Sequence, residues 1–234
     1  MKDITLKQLL EAGCHFGHQT NRWHPKAAAY IYGQRDNVHI IDLVKTVDGL
    51  ENALPVITKT IAGGKKVLFV GTKKQAKDIV RTAAQEVDQP FVTERWVGGT
   101  LTNSKTVGAQ IKHMQQLENK MASGDLEKRY NKLEVQRYAE EIEELNKKYG
   151  GIKALEGKPG LVFVTDILSD ANAVREAKKL GVPVVAVVDT NADPSDIDYV
   201  IPANDDAIKG ISLILDYVKK AVVEGQASIK KEIK

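Results

Sequence analysis

Short, uninterrupted apolar runs alternate with helical segments along most of the chain. Such a run predicts a strand that is covered on both faces. The five runs are residues 67–70, 91–92, 161–164, 184–188 and 199–201. Helices are predicted from a Thr5 cap to 13, from an Asp42 cap to 63, at about 73–87 and 170–180, and from an Asn204 cap to about 223. Extended pieces are predicted at 30–32 and 38–41, around a turn at Gly33. Strands alternating with helices predict a parallel sheet with right-handed crossovers and helices on both faces.

Residues 103–149 break this alternation, because they contain no proline and no strand pattern. Apolar residues recur there at helical spacing in two stripes, 107–121 and 126–149, on either side of a turn at 123–125. Two such helices predict an antiparallel coiled-coil hairpin, inserted between the second and third strands. We expect the hairpin to project from the sheet towards a partner; the alternative is that it packs flat on the sheet.

Composition narrows the class of protein. The 234 residues are 42% hydrophobic and 28% charged, which is enough for a sizeable core and a polar surface. A single cysteine excludes an internal disulfide, and the opening residues lack the apolar segment of a secretory signal. No apolar run approaches the roughly 18 residues of a membrane-spanning helix. These features predict a cytoplasmic protein with no membrane partner.

The net charge of +3 is unevenly distributed. Residues 1–81 hold 13 Lys and Arg against 7 Asp and Glu, whereas residues 82–165 hold 12 of each. Residues 166–228 hold 6 against 11, and the last six residues hold 3 against 1. A basic front and an acidic back predict two faces with different partners, unless the charges are simply scattered over the surface.

Residues 13–26 carry the densest group of specialised side chains: one cysteine, three histidines, two aromatic residues and two basic residues. Neither a helical nor a strand period fits them, so they predict an ordered loop. Aromatic rings beside basic groups suit RNA, with Trp23 stacking on a base. The alternative is a structural arm that its aromatic side chains hold to the domain. The residues expected to pair with phosphates are Arg22, Lys26 and Arg35.

The histidines of this loop have a second possible use as zinc ligands. A closed zinc site needs four ligands, and the chain offers only one cysteine. A mixed site of His15, His18, Asp189 and Asp205 would form if the loop folded over the ends of the strands. We favour histidines that are hydrogen-bonded within the loop or contact RNA, and therefore expect no cofactor.

Residues 71–74, Gly-Thr-Lys-Lys, follow the first predicted strand, where the start of a helix can hold a phosphate. They have neither the GxGxxG nor the P-loop spacing, so an RNA phosphate at Lys73 and Lys74 is preferred to a nucleotide. Carboxylates also end the strands, and in an enzyme they would bind Mg²⁺ or act as acid and base. They fit turns and helix caps equally well. These carboxylates are Asp166, Asp189, Asp205 and Asp206.

Long blocks of the chain resemble the bacterial small-subunit ribosomal protein S2 family. The blocks are GCHFGHQTNRWHPK, YIYGQRDNVHIIDLVKT, RWVGGTLTNSKT, SDANAVREAKKLGVPV and VVAVVDTNADPSDIDYVIPANDDA. The resemblance covers nearly all of residues 5–223 in the family's order. It implies a structural component of the small ribosomal subunit that binds ribosomal RNA, docks ribosomal protein S1 and contacts neighbouring small-subunit proteins. It implies no reaction and no small-molecule substrate. The alternative is a phosphate-ester or nucleotide-processing enzyme that uses the strand-end carboxylates.

Charge and family likeness together predict a set of RNA-binding residues. They are Arg22, Trp23, Lys26, Arg35, Lys73, Lys74, Arg95, Trp96, Asn103, Lys105, Lys128 and Arg129.

The predicted fold is α/β, with three layers around a doubly wound, mostly parallel five-stranded sheet of the flavodoxin-like type and an inserted antiparallel coiled-coil helical hairpin. Residues 1–102 and 150–225 are predicted to form the discontinuous α/β domain with its N-terminal RNA-facing arm. Residues 103–149 form the hairpin in this scheme, and residues 226–234 form a flexible tail.

Overall fold

The computed structural model describes residues 4–232, apart from the side chains of Asp125, Glu127 and residues 230–232. The chain begins with helix α1 (Leu6–Glu11), which Thr5 caps by accepting a hydrogen bond from the backbone of Gln8 at 3.3 Å. Strands β1 (Phe16–Gln19), β2 (Ile31–Arg35) and β3 (Val38–Ile41) then form a small antiparallel sheet in the order β1-β3-β2. A 3₁₀ helix, Pro25–Tyr30, joins β1 to β2.

This small sheet corrects the sequence prediction in two places. Residues 16–19, predicted as loop, form β1, because pairing with the distant β3 and not a period of their own holds them extended. The turn between β2 and β3 lies at Asp36 and Asn37, with φ of 51° and 62°, and not at Gly33. Asp and Asn tolerate this left-handed conformation better than other non-glycine residues, so this pair suits a tight hairpin turn.

The central sheet has five strands, and every neighbouring pair is parallel. Its strands are β4 (Val67–Val70), β5 (Phe91–Val92), β6 (Leu161–Val164), β7 (Val184–Val188) and β8 (Tyr199–Pro202). The spatial order is β5-β4-β6-β7-β8, so the chain starts inside the sheet and winds out to both edges. This order is that of a flavodoxin-like, doubly wound sheet. The predicted α/β fold is confirmed.

Alternate residues of the central strands face two separate cores. Val67, Phe69, Leu161, Phe163, Val185 and Ile201 belong to the first core. Leu68, Val70, Val162, Val164, Val184 and Ala186 belong to the second. Because side chains alternate along a strand, continuous apolar runs are what a sheet covered on both faces requires.

The first core is covered by four helices: α1, α2 (Leu43–Ala62), α3 (Lys77–Glu86) and α8 (Ile208–Glu232). Two bounds differ from the prediction. Helix α3 begins at Lys77, so Lys73 and Lys74 lie in a turn before it. Helix α8 continues to Glu232, because Gln226 Nε2 donates to the backbone oxygen of Val87 at 2.7 Å. The predicted flexible tail is therefore helical up to residue 232, and residues 233 and 234 lie outside the described residues.

The second core is covered by α7 (Ala171–Lys179) and by the inserted helices α4 (Ser104–Ala122) and α6 (Lys132–Tyr149). A short helix, α5 (Asp125–Arg129), lies between α4 and α6 in the chain. The second predicted helix of the hairpin is thus two helices. The break falls at Asn131, whose side chain forms a capping box with Glu134 and starts α6 anew.

The insert packs on the sheet with its inner part only. Val107, Tyr149 and the fully buried Met114 belong to the second core. Leu117 and Leu126 are also buried but belong to neither core, so they pack within the insert. We call residues 117–140 its outer half. The inner part of α4 therefore belongs to one of the helical layers that cover the sheet. The division of the chain into separate domains at residue 103 stays a prediction.

None of the helices within residues 4–232 combines the length and the apolar composition needed to cross a lipid bilayer.

Candidate functional site

The carboxyl ends of β4, β6, β7 and β8 meet at one edge of the sheet, as parallel strands require. The loops that follow them bring four carboxylates together, three of them around one ammonium group. Lys73 Nζ lies 2.7 Å from Asp206 Oδ1, 2.8 Å from Asp205 Oδ1 and 3.5 Å from Asp166 Oδ2. The backbone N–H of Asp205 also donates to Asp189 Oδ2, at 3.3 Å. We call Lys73 with these four aspartates the acidic cluster.

The N-terminal stretch folds over the acidic cluster through His18. Its Nδ1 lies 3.1 Å from Asp189 Oδ1, and its Nε2 lies 3.5 Å from Asp206 Oδ2. Its backbone N–H donates to Thr190 Oγ1 at 2.9 Å. A Cβ at Gly17 would come within 2.7 Å of the Thr190 side chain, so only glycine allows β1 to approach so closely. The arm is therefore built into the edge of the sheet.

For His18, Asp205 and Lys73, burial and pairing with an oppositely charged neighbour act on the pKa in opposite directions. The hydrogen bond to Asp189 raises the pKa of His18. Burial raises the pKa of Asp205 to about 7, and the neighbouring Asp166 and Asp189 add to this effect. Burial opposes the charge of Lys73, but hydrogen bonds to Asp205 and Asp206 outweigh it and raise the lysine's pKa. The cluster is thus largely neutralised by its own members.

Three of the four residues considered as metal ligands come together here. One donor atom each from His18, Asp189 and Asp205 lie within 4.8 Å of one another. Imidazole and carboxylate are donors that zinc accepts. His15 is not among them, because its ring packs on Phe16 with centroids 4.0 Å apart. Lys73 already places a positive charge 2.8 Å from Asp205, where it would repel a metal ion. The expectation that the protein binds no cofactor stays a prediction.

The strand-end carboxylates are used as hydrogen-bond acceptors of turns. Asp166 accepts from the backbone of Leu168 at 2.8 Å and from Ser169 Oγ at 2.6 Å. Asp170 accepts from the backbone and the hydroxyl of Thr72, at 3.1 and 2.8 Å, although burial raises its pKa to about 6. Turn and cap chemistry therefore accounts for these residues without a reaction.

The predicted RNA-binding residues of the arm are exposed at one end of the small sheet. Gln19 and Arg35 pair with Val38 from opposite sides, so the turn carrying Arg22 and the end of β2 lie at the same end of the small sheet with β3 between them. The Trp23 ring lies 5.5 Å from the His39 ring. Two of these cations have an ion-pair partner within the chain. Lys26 Nζ is 2.9 Å from Asp193 Oδ2, and Arg35 Nε is 3.5 Å from Asp36 Oδ2 in a pair that is largely exposed to solvent.

A second group of predicted residues surrounds residues 96–102, which we call the clamp loop. The Glu176 carboxylate of α7 holds this loop by accepting from Trp96 Nε1 at 2.9 Å and from the backbone of Gly99 at 2.8 Å. Its other oxygen accepts from the backbone of Leu101 at 3.0 Å and from the backbone and hydroxyl of Thr102, each at 3.1 Å. Arg95, Asn103 and Lys105 are exposed on either side of the loop.

Two predicted RNA-binding residues are corrected by these contacts. Trp96 is only 7% exposed and lies in the second core with its N–H bonded to Glu176, so its ring is not free to stack on a base. Lys73 is enclosed by the acidic cluster, so its charge is not free to meet a phosphate. Its neighbour Lys74 is exposed. Lys128 and Arg129 are exposed at the end of α5, in the outer half of the insert.

Sequence reasoning missed two features. Glu176 lies inside a helix and resembles an ordinary solvated charge, and nothing near it in sequence signals its role. The second feature is an apolar groove of about 380 Å³ between α1, the small sheet and the start of α2. Leu6 and Leu10 are about half exposed, and Leu9 is the buried residue of α1. The apolar groove is lined by Leu6, Leu10, His15, Tyr32, Leu43 and Val44 among others.

Comparison with known proteins gives the family. The family model described as ribosomal protein S2 matches residues 9–225. The small ribosomal subunit protein uS2 of Rhodopseudomonas palustris (strain BisA53) is 49% identical over 225 residues, which cover 96% of this chain and 68% of the relative. That of Roseiflexus sp. (strain RS-1) is 49% identical over 223 residues, covering 95% and 85%. The relatives are named as ribosomal proteins and not as enzymes, in agreement with the prediction. The chain belongs to the ribosomal protein S2 family of the small ribosomal subunit.

Proposed function

We propose that this chain performs its structural role in the small subunit by binding ribosomal RNA through exposed basic side chains on the arm and the insert. The supporting observation is how the charges are divided. The buried acidic cluster is neutralised by Lys73 and His18, whereas several exposed cations form no ion pair with a described carboxylate. The unpaired cations among the predicted residues are Arg22, Lys74, Arg95, Lys105, Lys128 and Arg129.

Unpaired cations favour RNA because phosphates supply the missing negative charge and release bound counterions. Arg22 adjoins the exposed Trp23, a combination of charge and aromatic surface that suits unpaired nucleotides. Arg35 lies at the same end of the small sheet, and its only ion pair with a described carboxylate is a solvent-exposed one with Asp36, which a phosphate can replace. The corrected Trp96 and Lys73 are left out of this surface. We place the protein in the cytoplasm, on the ribosome, with ribosomal RNA and neighbouring small-subunit proteins as its partners.

The test uses small subunits that lack this protein and the full-length chain. The double variant Arg22→Ala, Arg35→Ala should bind them more weakly, and the salt dependence of binding should flatten by about one unit for each phosphate that is no longer neutralised. Lys59→Ala is the control, because Lys59 is exposed in the last turn of α2. An unchanged salt slope in the folded double variant would contradict an RNA surface on the arm.

We also propose that ribosomal protein S1, the partner implied by the family resemblance, docks on the apolar groove. Tyr32 is 80% exposed there, and Leu6, Leu10 and Val44 are each about half exposed. A contiguous apolar surface of this kind is unfavourable in water and is typical of a protein interface. RNA offers no comparable apolar partner, so the groove suits a protein side chain.

The proposal for the apolar groove is tested by measuring how much ribosomal protein S1 binds to small subunits reassembled with the variant protein. Tyr32→Ala should reduce capture of S1 while leaving incorporation of the variant itself unchanged, because the ring is not part of either core. Val223→Ser is the control, since Val223 is an exposed apolar residue on α8, outside the groove lining. Equal S1 capture by Tyr32→Ala and wild type would move the docking site elsewhere.

A further inference from the structure

The far end of the insert presents an aromatic side chain on a fixed backbone. Tyr130 lies between α5 and α6, with its backbone N–H donating to Leu126 O at 2.9 Å. Leu126 is buried, so it anchors α5 within the insert. On the other side, the capping box of Asn131 and Glu134 fixes the start of α6 through bonds of 2.9 and 3.0 Å. Tyr130 is therefore held from both sides.

The Tyr130 ring packs against one neighbouring ring and is partly exposed to solvent. It packs against the Tyr138 ring at 5.2 Å between centroids, with an interplanar angle of 65°. In an edge-to-face pair the edge of one ring meets one face of the other, so this contact leaves at least one face of the Tyr130 ring uncovered. Tyr130 keeps 41% of its surface exposed, and its neighbour Leu133 keeps 59%. Apolar surface that lies outside both cores and stays in water stabilises nothing within this chain, so it is available to a partner.

The stretch of sequence that carries this aromatic surface is basic. Between residues 120 and 138 the sequence has five Lys and Arg against three Asp and Glu. One of the three acids, Glu134, is bonded to the backbone of Asn131. Among the described side chains no carboxylate forms an ion pair with any of the five. These cations are Lys120, Lys128, Arg129, Lys132 and Arg137.

We propose that Tyr130 is a stacking platform for an unpaired RNA base, with Lys128 and Arg129 pairing with the phosphates beside it. This inference rests on the proposed RNA-binding function and adds the kind of nucleotide that the insert recognises. A duplex would meet the cations but offers no free base face to the ring. An unpaired nucleotide satisfies both, because every base has a face that stacks on an aromatic ring.

The position of Tyr130 gives the platform its reach. Helix α6 has 18 residues, so Tyr130 lies about 27 Å along the insert from the sheet end of that helix. The buried residues of α4 after Met114, and those of α5, belong to neither core. The platform can therefore contact a bulge or loop of RNA that the sheet domain does not reach.

The experiment measures binding of the full-length protein to small subunits that lack it, across a range of salt concentrations. Tyr130→Ala should weaken binding about tenfold with an unchanged salt slope, because stacking neutralises no phosphate. Tyr130→Phe should bind within about twofold of wild type, because it keeps the ring. The double variant Lys128→Gln, Arg129→Gln should flatten the salt slope by about one unit for each phosphate that the two side chains neutralise in wild type.

A second measurement uses the wild-type protein and is independent of variant folding. Ultraviolet irradiation of reassembled subunits should join Tyr130 to a nucleotide that is unpaired in the RNA, as identified by mass spectrometry. The inference is overturned if wild type joins the subunit but Tyr130 gives no nucleotide adduct and Tyr130→Ala binds normally. It is also overturned if Tyr130 is joined to a protein, or if Tyr130→Phe binds as poorly as Tyr130→Ala. If wild type itself fails to bind the subunit, the proposed function fails with it.

Discussion

Glu176→Gln is expected to destabilise the protein by loosening the clamp loop. The carboxylate accepts five hydrogen bonds from Trp96, Gly99, Leu101 and Thr102, at 2.8 to 3.1 Å. Glutamine has nearly the same shape, but its NH₂ group must replace one of the two oxygens. Whichever oxygen is replaced, the NH₂ group faces donors, so at least two of the five hydrogen bonds are removed.

The magnitude follows from the burial of those donors. Removing two hydrogen bonds, at about 1 to 1.5 kcal/mol each, lowers the free energy of unfolding by about 2 to 3 kcal/mol. For a chain of this size that corresponds to a fall in Tm of about 4 to 12 °C. Trp96 is buried, so water cannot easily replace its hydrogen bond, whereas Thr102 is exposed and can be rehydrated.

The assay is thermal unfolding followed by circular dichroism and by tryptophan fluorescence. The chain has two tryptophans, so a Trp23→Phe background makes Trp96 the only tryptophan reporter of the clamp loop. Arg175→Gln is the matched control, because Arg175 is the exposed neighbour of Glu176 on α7. It should change the free energy of unfolding by no more than about 0.5 kcal/mol.

Acidification gives an independent check of the same reasoning. Burial opposes the charge of Glu176, but the bonds from Trp96 and the clamp-loop backbone outweigh it and lower its pKa below the ordinary 4.5. Because the folded pKa is depressed, the stability advantage of wild type over Glu176→Gln should be complete above pH 4.5 and shrink as the pH falls below it. Equal Tm values at pH 7, or an advantage that persists unchanged in acid, would refute this account of the clamp.

Three further predictions concern the acidic cluster and the insert. Lys73→Met should cost about 3 kcal/mol or more of unfolding free energy, because it leaves buried carboxylates unpaired, whereas Lys74→Met should be nearly neutral in the same denaturant titration. Removing metal ions from the purified protein with a chelator should leave its Tm unchanged. Elemental analysis that finds one zinc ion per chain in wild type and in His15→Ala, but none in His18→Ala, would contradict this prediction. Excising residues 119–137 and bridging the ends with a Gly/Ser linker should leave the sheet domain folded, as measured by circular dichroism, but should impair its binding to small subunits. An unfolded product would show that the outer half of the insert is part of the core.

The central sheet was predictable because its signal is local. Residues 67–70 and 184–188 are apolar at every position, and such runs are typical of strands that are covered on both faces. The helix caps at Thr5 and Asp42 were predicted for the same reason, since each bonds to a backbone group two or three residues away. Strand β1 has no such signal, because its extended form depends on β3 and on Thr190.

The roles of individual charged and aromatic residues were less predictable, because tertiary contacts decide them. Lys73 follows a strand in a glycine-containing turn and resembles a phosphate-binding residue. Its partner Asp205 is 132 residues away, and only the order of the strands brings the two together. Trp96 beside Arg95 resembles a nucleic-acid contact in the same way. Its partner Glu176 is 80 residues away on α7.

The uneven charge of the chain illustrates the same point and changes its interpretation. A basic front and an acidic back predicted two faces with different partners. In the fold the two parts meet: Lys73 of the front contacts Asp205 and Asp206 of the back, and Lys26 contacts Asp193. Part of the apparent separation is therefore internal neutralisation, and at the buried Asp205 it avoids the cost of a carboxylate without a partner. Charge that is neutralised inside the fold is not available to a phosphate, so the proposed RNA surface relies on cations that lack a buried partner.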